Sequence, residues 1–297
     1  MMDLRRVQAL RVLADRGTVT AAAEALFVTP SAVSQQLRAL ADELGVELLV
    51  RDGRRVRLTA AAHALLEHAD ALQEHWERAR ADLGGSRRTL RFCGVSSAIA
   101  ALLSPAAAAL HEHDPRRRIE LVEEESEECF RLLLAEQADL AVVLPTPASP
   151  PVDDPRFEQR VLHEDPQDLL VPSAHPLAGR DGVVLADVAA ERWIVKPRQN
   201  DTYDLLLSAC AAAGFTPAVA HQVKEWFAIS RLVADGFGVC LLPRLVPIPA
   251  EHAVTRVPLT GNPRPVRKLV ACVRRGSAGQ PDLAEALAVL DEVASRV

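Results

Sequence analysis

Long apolar runs are missing from this chain. The most extended candidate, "AIAALLSPAAAAL", is short and broken by Pro105, so no membrane span is expected. The opening "MMDLRRVQAL" carries charges with no apolar core behind them, which argues against a secretory signal and for a cytoplasmic protein. Cysteine is scarce and unpatterned. Cys93, Cys129, Cys210, Cys240 and Cys272 form no CxxC pair, so they read as reduced, buried thiols. A redox pair of Cys210 with Cys240 stays open, although nothing in the spacing requires it. Nucleophile and cofactor motifs are missing too: there is no GxSxG, and "GFG" at 236–238 is too short for a dinucleotide loop and precedes a strand. His111 and His113 stand two apart at a helix end, where the helix dipole explains a histidine better than a metal does. No cofactor, no metal and no catalytic residue are expected. Aromatic residues make up only 4% of the chain, which singles out the adjacent Trp226 and Phe227.

What is present suits two or three globular domains. The 297 residues are 49% hydrophobic and 25% charged, enough to bury sizeable cores. Net charge is −6, but it is unevenly spread. Residues 1–58 hold nine arginines against seven acids, residues 59–88 four against five, and the remainder is acidic. A basic head on an acidic body suggests two jobs.

The head explains itself best through one stretch, "AAEALFVTPSAVSQQLRALADELGVELLVRDGRRVRLT". Leu4, Val7, Leu10 and Ala14 predict a first helix that stops at Gly17, and Thr18 or Thr20 can cap a second. Thr29-Pro30 then starts a third, with a hydroxyl at the cap and a proline where a missing N–H costs nothing. Val33, Leu37, Leu40 and Leu44 form its apolar face, and Ser31, Ser34, Gln35 and Arg38 lie opposite. Such a polar face is either solvated or built to reach phosphates and base edges in a major groove, and composition alone leaves both open. Context decides. Two short helices with a tight turn form a helix-turn-helix, and "VELLVRDGRRVRLT" adds a hairpin turning at Asp52-Gly53, with Arg51, Arg54, Arg55 and Arg57 crowded on it. Arginines on a wing beside a recognition helix suit phosphate or minor-groove contacts, so the partner is double-stranded DNA.

From Thr59 a long helix should run to about Leu83. Leu65, Ala69, Leu72, Trp76, Ala79 and Leu83 repeat four-three-four-three-four, a narrow heptad seam with a Trp that suits a linker helix pairing with a second chain rather than one lying on its own domain. Gly84-Gly85-Ser86 reads as a hinge. Beyond it strands and helices alternate, predicting a parallel, helix-covered sheet in a first unit, a second α/β unit, and a last strand and helix returning to the first. Two lobes with two crossings leave a cleft, a usual place for a small ligand.

These residues resemble the LysR-type transcriptional regulators. The likeness covers the whole chain and is most specific between Leu4 and Leu66. Ala22-Ala23, Leu26, Val33-Ser34, Leu44-Gly45, Leu48, Arg51 and Leu58-Thr59 stand at that family's spacing, while Leu49 and Ala62 replace its usual Phe and Gly. The resemblance implies an α/β protein in three parts. These are a winged helix-turn-helix (1–58), a linker and dimerisation helix with its hinge (59–88), and a two-lobed effector domain (89–297). Lobe 1 would take about 89–163 and 266–297, and lobe 2 about 164–265. It further implies a homodimer or homotetramer on promoter DNA, contact with RNA polymerase, and a small-molecule effector that alters activation. DNA contacts carry over onto Thr29, Pro30, Ser31, Ser34, Gln35, Arg38, Arg51, Arg54 and Arg55.

For the effector, loop ends facing the cleft are the candidates: Ser96 and Ser97 after the first strand, Thr146 at a strand end, Asn200 and Thr202 at a helix start, and Trp226 and Phe227 at another. Serines at a helix N-terminus favour an anion, and Glu123, Glu124 and Glu125 at a neighbouring strand end favour an amine. An amino-acid-like ligand satisfies both. A rival reading, an enzymatic or ligand-binding α/β protein without DNA binding, would need neither the arginine wing nor the heptad helix.

Overall fold

The computed structural model describes residues 4–52, 55–84, 89–198, 200–262 and 264–297. Three helices build the head: α1 (Leu4–Arg16), α2 (Val19–Ala25) and α3 (Pro30–Leu44). Each boundary has a local cause. Gly17 adopts a φ of 72° after α1, the Thr18 hydroxyl accepts from the Ala21 N–H to open α2, and Gly45 closes α3 in the left-handed region. Val7, Leu10, Leu13, Ala22, Val33, Leu37, Leu40 and Leu48 interlock as the head's core. Leu44, expected on that apolar face, is instead exposed at the last turn of α3. The wing is β1 (Leu49–Asp52) paired antiparallel with β2 (Arg55–Leu58). Its tip, Gly53 with Arg54, lies outside the described residues.

Helix α4 (Ala60–Asp82) starts at Thr59, whose hydroxyl accepts from the Ala62 N–H at 3.1 Å. The heptad seam does not act as one stripe. Leu65 and Ala69 pack into the head's own core, because the first turns of α4 lie against α1, where Arg11 pairs with Asp70. Leu72, Trp76 and Leu83 stay exposed, Trp76 by 58%, and Ala79 is half-buried. Gly85 and Ser86 of the expected hinge lie outside the described residues.

The remainder is α/β. Strands β3 (Thr89–Gly94), β4 (Arg118–Glu123) and β5 (Leu140–Val143) are parallel, in the order β4-β3-β5. Between β3 and β4 run α5 (Ser96–Ala98), a π turn (Ile99–Leu103) and α6 (Ser104–His113), without a break. The wide turn falls just before Pro105, a residue that cannot donate to a helical carbonyl, so the helix passes the proline through a π bulge instead of breaking. Helix α7 (Ser126–Leu134) joins β4 to β5. Glu125 occupies the cap position of α7, and the buried Ser126 hydroxyl accepts from the Leu144 N–H.

The segment "FEQRVLHEDPQDLLVP" forms one sixteen-residue strand, β6 (Phe157–Pro172), that passes from the first lobe into the second. Its first part pairs antiparallel with β12 (Val266–Arg274), which in turn pairs antiparallel with β5, so the sheet is mixed rather than wholly parallel. Its second part pairs with β10 (Cys240–Pro243) on one edge and β11 (Val254–Thr260) on the other. Alternating partners keep the ladder satisfied through the crossing, and this is why the strand does not break at Pro166.

The second lobe adds β7 (Val183–Val184), a 3₁₀ turn (Leu185–Val188), β8 (Arg192–Val195), α8 (Asp201–Ala212), β9 (Ala218–Gln222) and α9 (Trp226–Ala234). Strands β8 and β9 are parallel to each other. Helix α10 (Pro281–Ala294) returns to the first lobe and packs beside α6. Each lobe has a core on both faces of its sheet, with Leu90, Leu102, Leu269 and Leu290 on one face of the first and Cys93, Phe130, Phe157 and Cys272 on the other. All five cysteines are buried and free. Cys210 and Cys240 pack into different core clusters and are not bonded to each other. Among the described residues no helix is long and apolar enough to cross a membrane.

Candidate functional site

Two surfaces carry chemistry. The first is the exposed side of α3. Thr29 Oγ1 accepts from the Ala32 N–H at 3.2 Å and meets Ser31 Oγ at 2.9 Å, which fixes the first turn. Ser31, Gln35 and Arg38 are exposed and Ser34 is half-buried, opposite the buried Val33, Leu37 and Leu40. Pro30 is exposed at the first helical position. Arg38 Nε donates to the Ser34 carbonyl at 3.2 Å, laying its guanidinium along the helix surface. Arg51 and Arg55 are placed on the paired wing strands, but their side chains, like Arg54, lie outside the described residues. The turn leading into α3 holds Phe27 at a φ of 55°, an uncommon value for a non-glycine residue, with its ring 87% exposed.

The second is the cleft between the lobes, a cavity of about 90 Å³. It is lined by Ser96 and Ser97 from the first lobe, Asn200, Thr202 and Trp226 from the second, and the carboxylates Glu123, Glu124 and Glu125. Five of the seven expected effector positions therefore converge. Two do not. Thr146 turns into its own loop, where its Oγ1 accepts from the Ala148 N–H at 3.2 Å and its N–H donates to Ser149 Oγ at 3.0 Å. Phe227, 62% exposed, packs at a tilt against His252, with centroids 5.0 Å apart, and does not line the cleft. Successive helix residues point about 100° apart, and here Trp226 takes the cleft side of α9 while Phe227 turns to His252.

Sequence reading missed Lys196, Lys224, Glu225 and Arg267, all of which line the cleft. A signal existed for the first three. Lys196 directly follows parallel strand β8, and Lys224 and Glu225 closely follow β9. Open α/β sheets present their binding positions beyond the carboxyl ends of such strands. Arg267 was hidden because its place depends on β12 returning antiparallel beside the first lobe.

The electrostatics are two-signed. Lys196 Nζ lies 4.5 Å over the Trp226 ring, a cation–π contact that holds the ring in the cleft wall. Buried Arg267 donates through Nε to Asp165 at 3.2 Å and through Nη2 to the Ser97 hydroxyl at 3.1 Å. Asp165 also accepts from the Leu245 N–H of the second lobe, so the crossing between lobes is pinned by one buried carboxylate. Next to it, Asp168 binds Arg244 in a fork and raises the Arg244 pKa, whereas burial lowers that of Arg256. A direct bond spans the cleft: Asn200 Nδ2 donates to Glu125. Elsewhere, His111 and His113 end α6, and His113 lies 3.8 Å from Glu285. Among the described residues no group of three or more His, Cys, Asp or Glu side chains is placed to hold a metal.

A helix-turn-helix head joined by a long helix to a two-lobed α/β domain with a cleft defines a ligand-responsive DNA-binding protein. The family models agree with that division. The bacterial regulatory helix-turn-helix protein model of the lysR family matches residues 4–63, and the LysR substrate binding domain model matches residues 83–295. The chain belongs to the LysR family of transcriptional regulators. It is 30% identical to the HTH-type transcriptional regulator ShiR of Corynebacterium glutamicum, over 81% of this chain and 82% of that protein. It is also 30% identical to the small neutral protease regulatory protein of Streptomyces coelicolor, over 99% of this chain and 93% of that one. Among solved structures, a full-length OxyR variant from Pseudomonas aeruginosa has the same fold, with a TM-score of 0.65 and 20% identity over 99% of this chain and 95% of that one. The full-length CbnR bound to its target DNA gives a TM-score of 0.58 at 23% identity, over 99% and 100% of the two chains. This protein is a DNA-binding regulator, not an enzyme.

Proposed function

We propose that this regulator reads its operator with Ser31, Ser34, Gln35 and Arg38 of α3, supported by Thr29, Pro30 and the wing arginines, and responds to an amino-acid-like effector held between its lobes. The observation that carries the effector reading is the sign pattern of the cleft. Glu123, Glu124, Glu125 and Glu225 share one small cavity with Lys196, Lys224 and Arg267. A zwitterion matches both signs at once, and a simple anion or a simple amine leaves one set facing a like charge or nothing. The Ser97 hydroxyl, already anchored by Arg267, is placed to donate to a ligand carboxylate. The chain divides for this work into a head of residues 1–58, a linker of 59–88 and an effector domain of 89–297.

The protein acts in the cytoplasm as a homodimer or homotetramer, in contact with RNA polymerase. The support for self-association is the exposed stripe Leu72, Trp76 and Leu83 on α4. Leu72 and Trp76 border an apolar groove of about 560 Å³ that also includes Val7, Leu26, Val28 and Leu134. A second copy's linker helix is the occupant that fits a twofold operator. Isothermal calorimetry of the full chain against the common amino acids and their decarboxylated and deaminated analogues tests the effector. Binding of an amino acid but of neither analogue supports the reading, and tight binding of an uncharged apolar compound sinks it. A gel shift against the intergenic DNA beside its own gene tests the operator.

A further inference from the structure

Strand β12 joins two distant places. At its start, Arg267 lines the cleft and holds Ser97. At its end, Arg274 is buried against the linker helix, where Nε donates to Glu77 Oε1 at 3.0 Å and Nη1 to the Leu133 carbonyl at 2.9 Å. Gln280, just before α10, donates to the other Glu77 oxygen at 2.5 Å. Glu77 is fully buried, although it sits on a helix otherwise rich in exposed charge. The fit around it is close. A side chain at Gly276 would bring Cβ to 2.7 Å from the Glu74 carbonyl oxygen, and the φ there is +82°.

Magnitudes separate this contact from its competitor. Helix α7 also leads from the cleft, at Glu125, to the head, where Arg16 meets Glu128 at 2.6 Å. Both of those side chains are about a quarter exposed, so water and salt screen the pair. Arg274 and Glu77 are 3% and 0% exposed; Arg274 also meets buried Asp139 at 3.4 Å, but moving the guanidinium away would leave the Glu77 carboxylate in the interior without it. The strand between is stiff. Leu269, Ala271 and Val273 pack into one core and Val270 and Cys272 into the other, with β5 and β6 on the two edges. It spans roughly 23 Å from Arg267 to Arg274 at an ordinary strand rise.

We infer that β12, with the joint of Glu77, Arg274 and Gln280, is the rigid link by which a displacement at the cleft moves the linker helix and hence the DNA-reading head. The inference rests on the cleft being the effector site, since a ligand acts on the head only through different affinities for two arrangements of this link. Glu77, Arg274 and Gln280 are then positioning residues: they touch neither ligand nor DNA.

Hydrogen exchange on the full-length chain tests the link without any ligand. Ser97→Ala removes the Arg267 anchor at the cleft. It should change amide exchange across residues 72–82 severalfold, the scale of a weakened buried hydrogen bond. In a Glu77→Gln or Gln280→Ala background that change should vanish or shrink, and in an Arg16→Ala background it should persist. Gln280→Ala carries the test if Glu77→Gln fails to fold. No change at residues 72–82 in the otherwise wild-type chain overturns the link. So does a change that survives the joint variants, or one that Arg16→Ala abolishes. Failure here leaves the calorimetric test of the effector untouched, so the two readings fall separately.

Discussion

Asn200 Nδ2, on the second lobe, lies 3.4 Å from Glu125 Oε1 on the first, so a single amide bridges the cleft mouth. Its orientation is set locally. Asn200 Oδ1 accepts from the Thr202 N–H at 3.1 Å and from the Thr202 hydroxyl at 2.7 Å, which turns the NH₂ outward. Asn200→Asp keeps the cap and places a second carboxylate against Glu125. Like-charge repulsion should open the cleft, more at low salt than at high. Small-angle X-ray scattering of wild type and variant at low and high salt reads the change. A variant profile identical to wild type at low salt would remove Asn200 as the bridge.

If the exposed Gln35 and Arg38 read base edges as proposed, Gln35→Ala or Arg38→Ala should lose about 1–3 kcal/mol of binding to the operator and little to random DNA. Arg54→Ala or Arg55→Ala should weaken binding to every sequence and lower the salt slope by about one unit. Fluorescence anisotropy at several salt concentrations distinguishes the two classes. Wild-type binding by all four variants would misplace the recognition surface.

Trp76 is 58% exposed in the single chain, so Trp76→Ala should leave the monomer's melting temperature almost unchanged. If a second copy covers the ring, the same substitution should cost the dimer about 3 kcal/mol or more. Sedimentation equilibrium measures the difference. An unaltered association constant would show that the stripe is not an interface.

Burial pushes the Cys210 and Cys240 thiols up to about 12, and the Cys272 thiol well above its ordinary range. Thiolate is the reactive form, so the native protein should consume almost no disulfide reagent at pH 8, and the denatured chain should consume five equivalents. Rapid labelling of any one cysteine in the folded protein would contradict the packing described above.

Burial raises the Glu77 carboxyl, but Arg274 and Gln280 outweigh it and hold the group below its ordinary 4.5. A carboxyl depressed by folding contributes stability above its unfolded value, and loses it as pH falls through the folded one. Glu77→Gln should therefore cost about 1.5–3 kcal/mol at pH 7, and the gap from wild type should narrow as pH drops below 4.5. Denaturant titrations at pH 7 and pH 3.5 give both numbers. A gap that widens in acid would reverse the assignment.

The head was legible in the sequence because its signals are local. Thr29 and Pro30 start α3 by satisfying or not needing an N–H, Gly17 and Gly45 supply left-handed turns, and the spacing of Val33, Leu37 and Leu40 commits one face to the core. The exposed Ser31, Gln35 and Arg38 follow from that spacing with no further information. Most of the cleft was legible for a similar reason: Ser96, Ser97, Glu123 to Glu125, Asn200 and Thr202 fall at loop ends that the alternation of strand and helix brings to one edge.

Tertiary structure decided what depends on partners distant in the chain. Arg267 entered the cleft, and Arg274 reached Glu77, because β12 threads antiparallel between β5 and β6, a pairing no periodicity announces. The same holds for α4. Its heptad pattern is one stripe in sequence, yet Leu65 and Ala69 are taken by the head while Trp76 is left to solvent. Periodicity fixes which side of a helix is apolar, and only the positions of neighbouring elements determine how much of that side finds something to bury against.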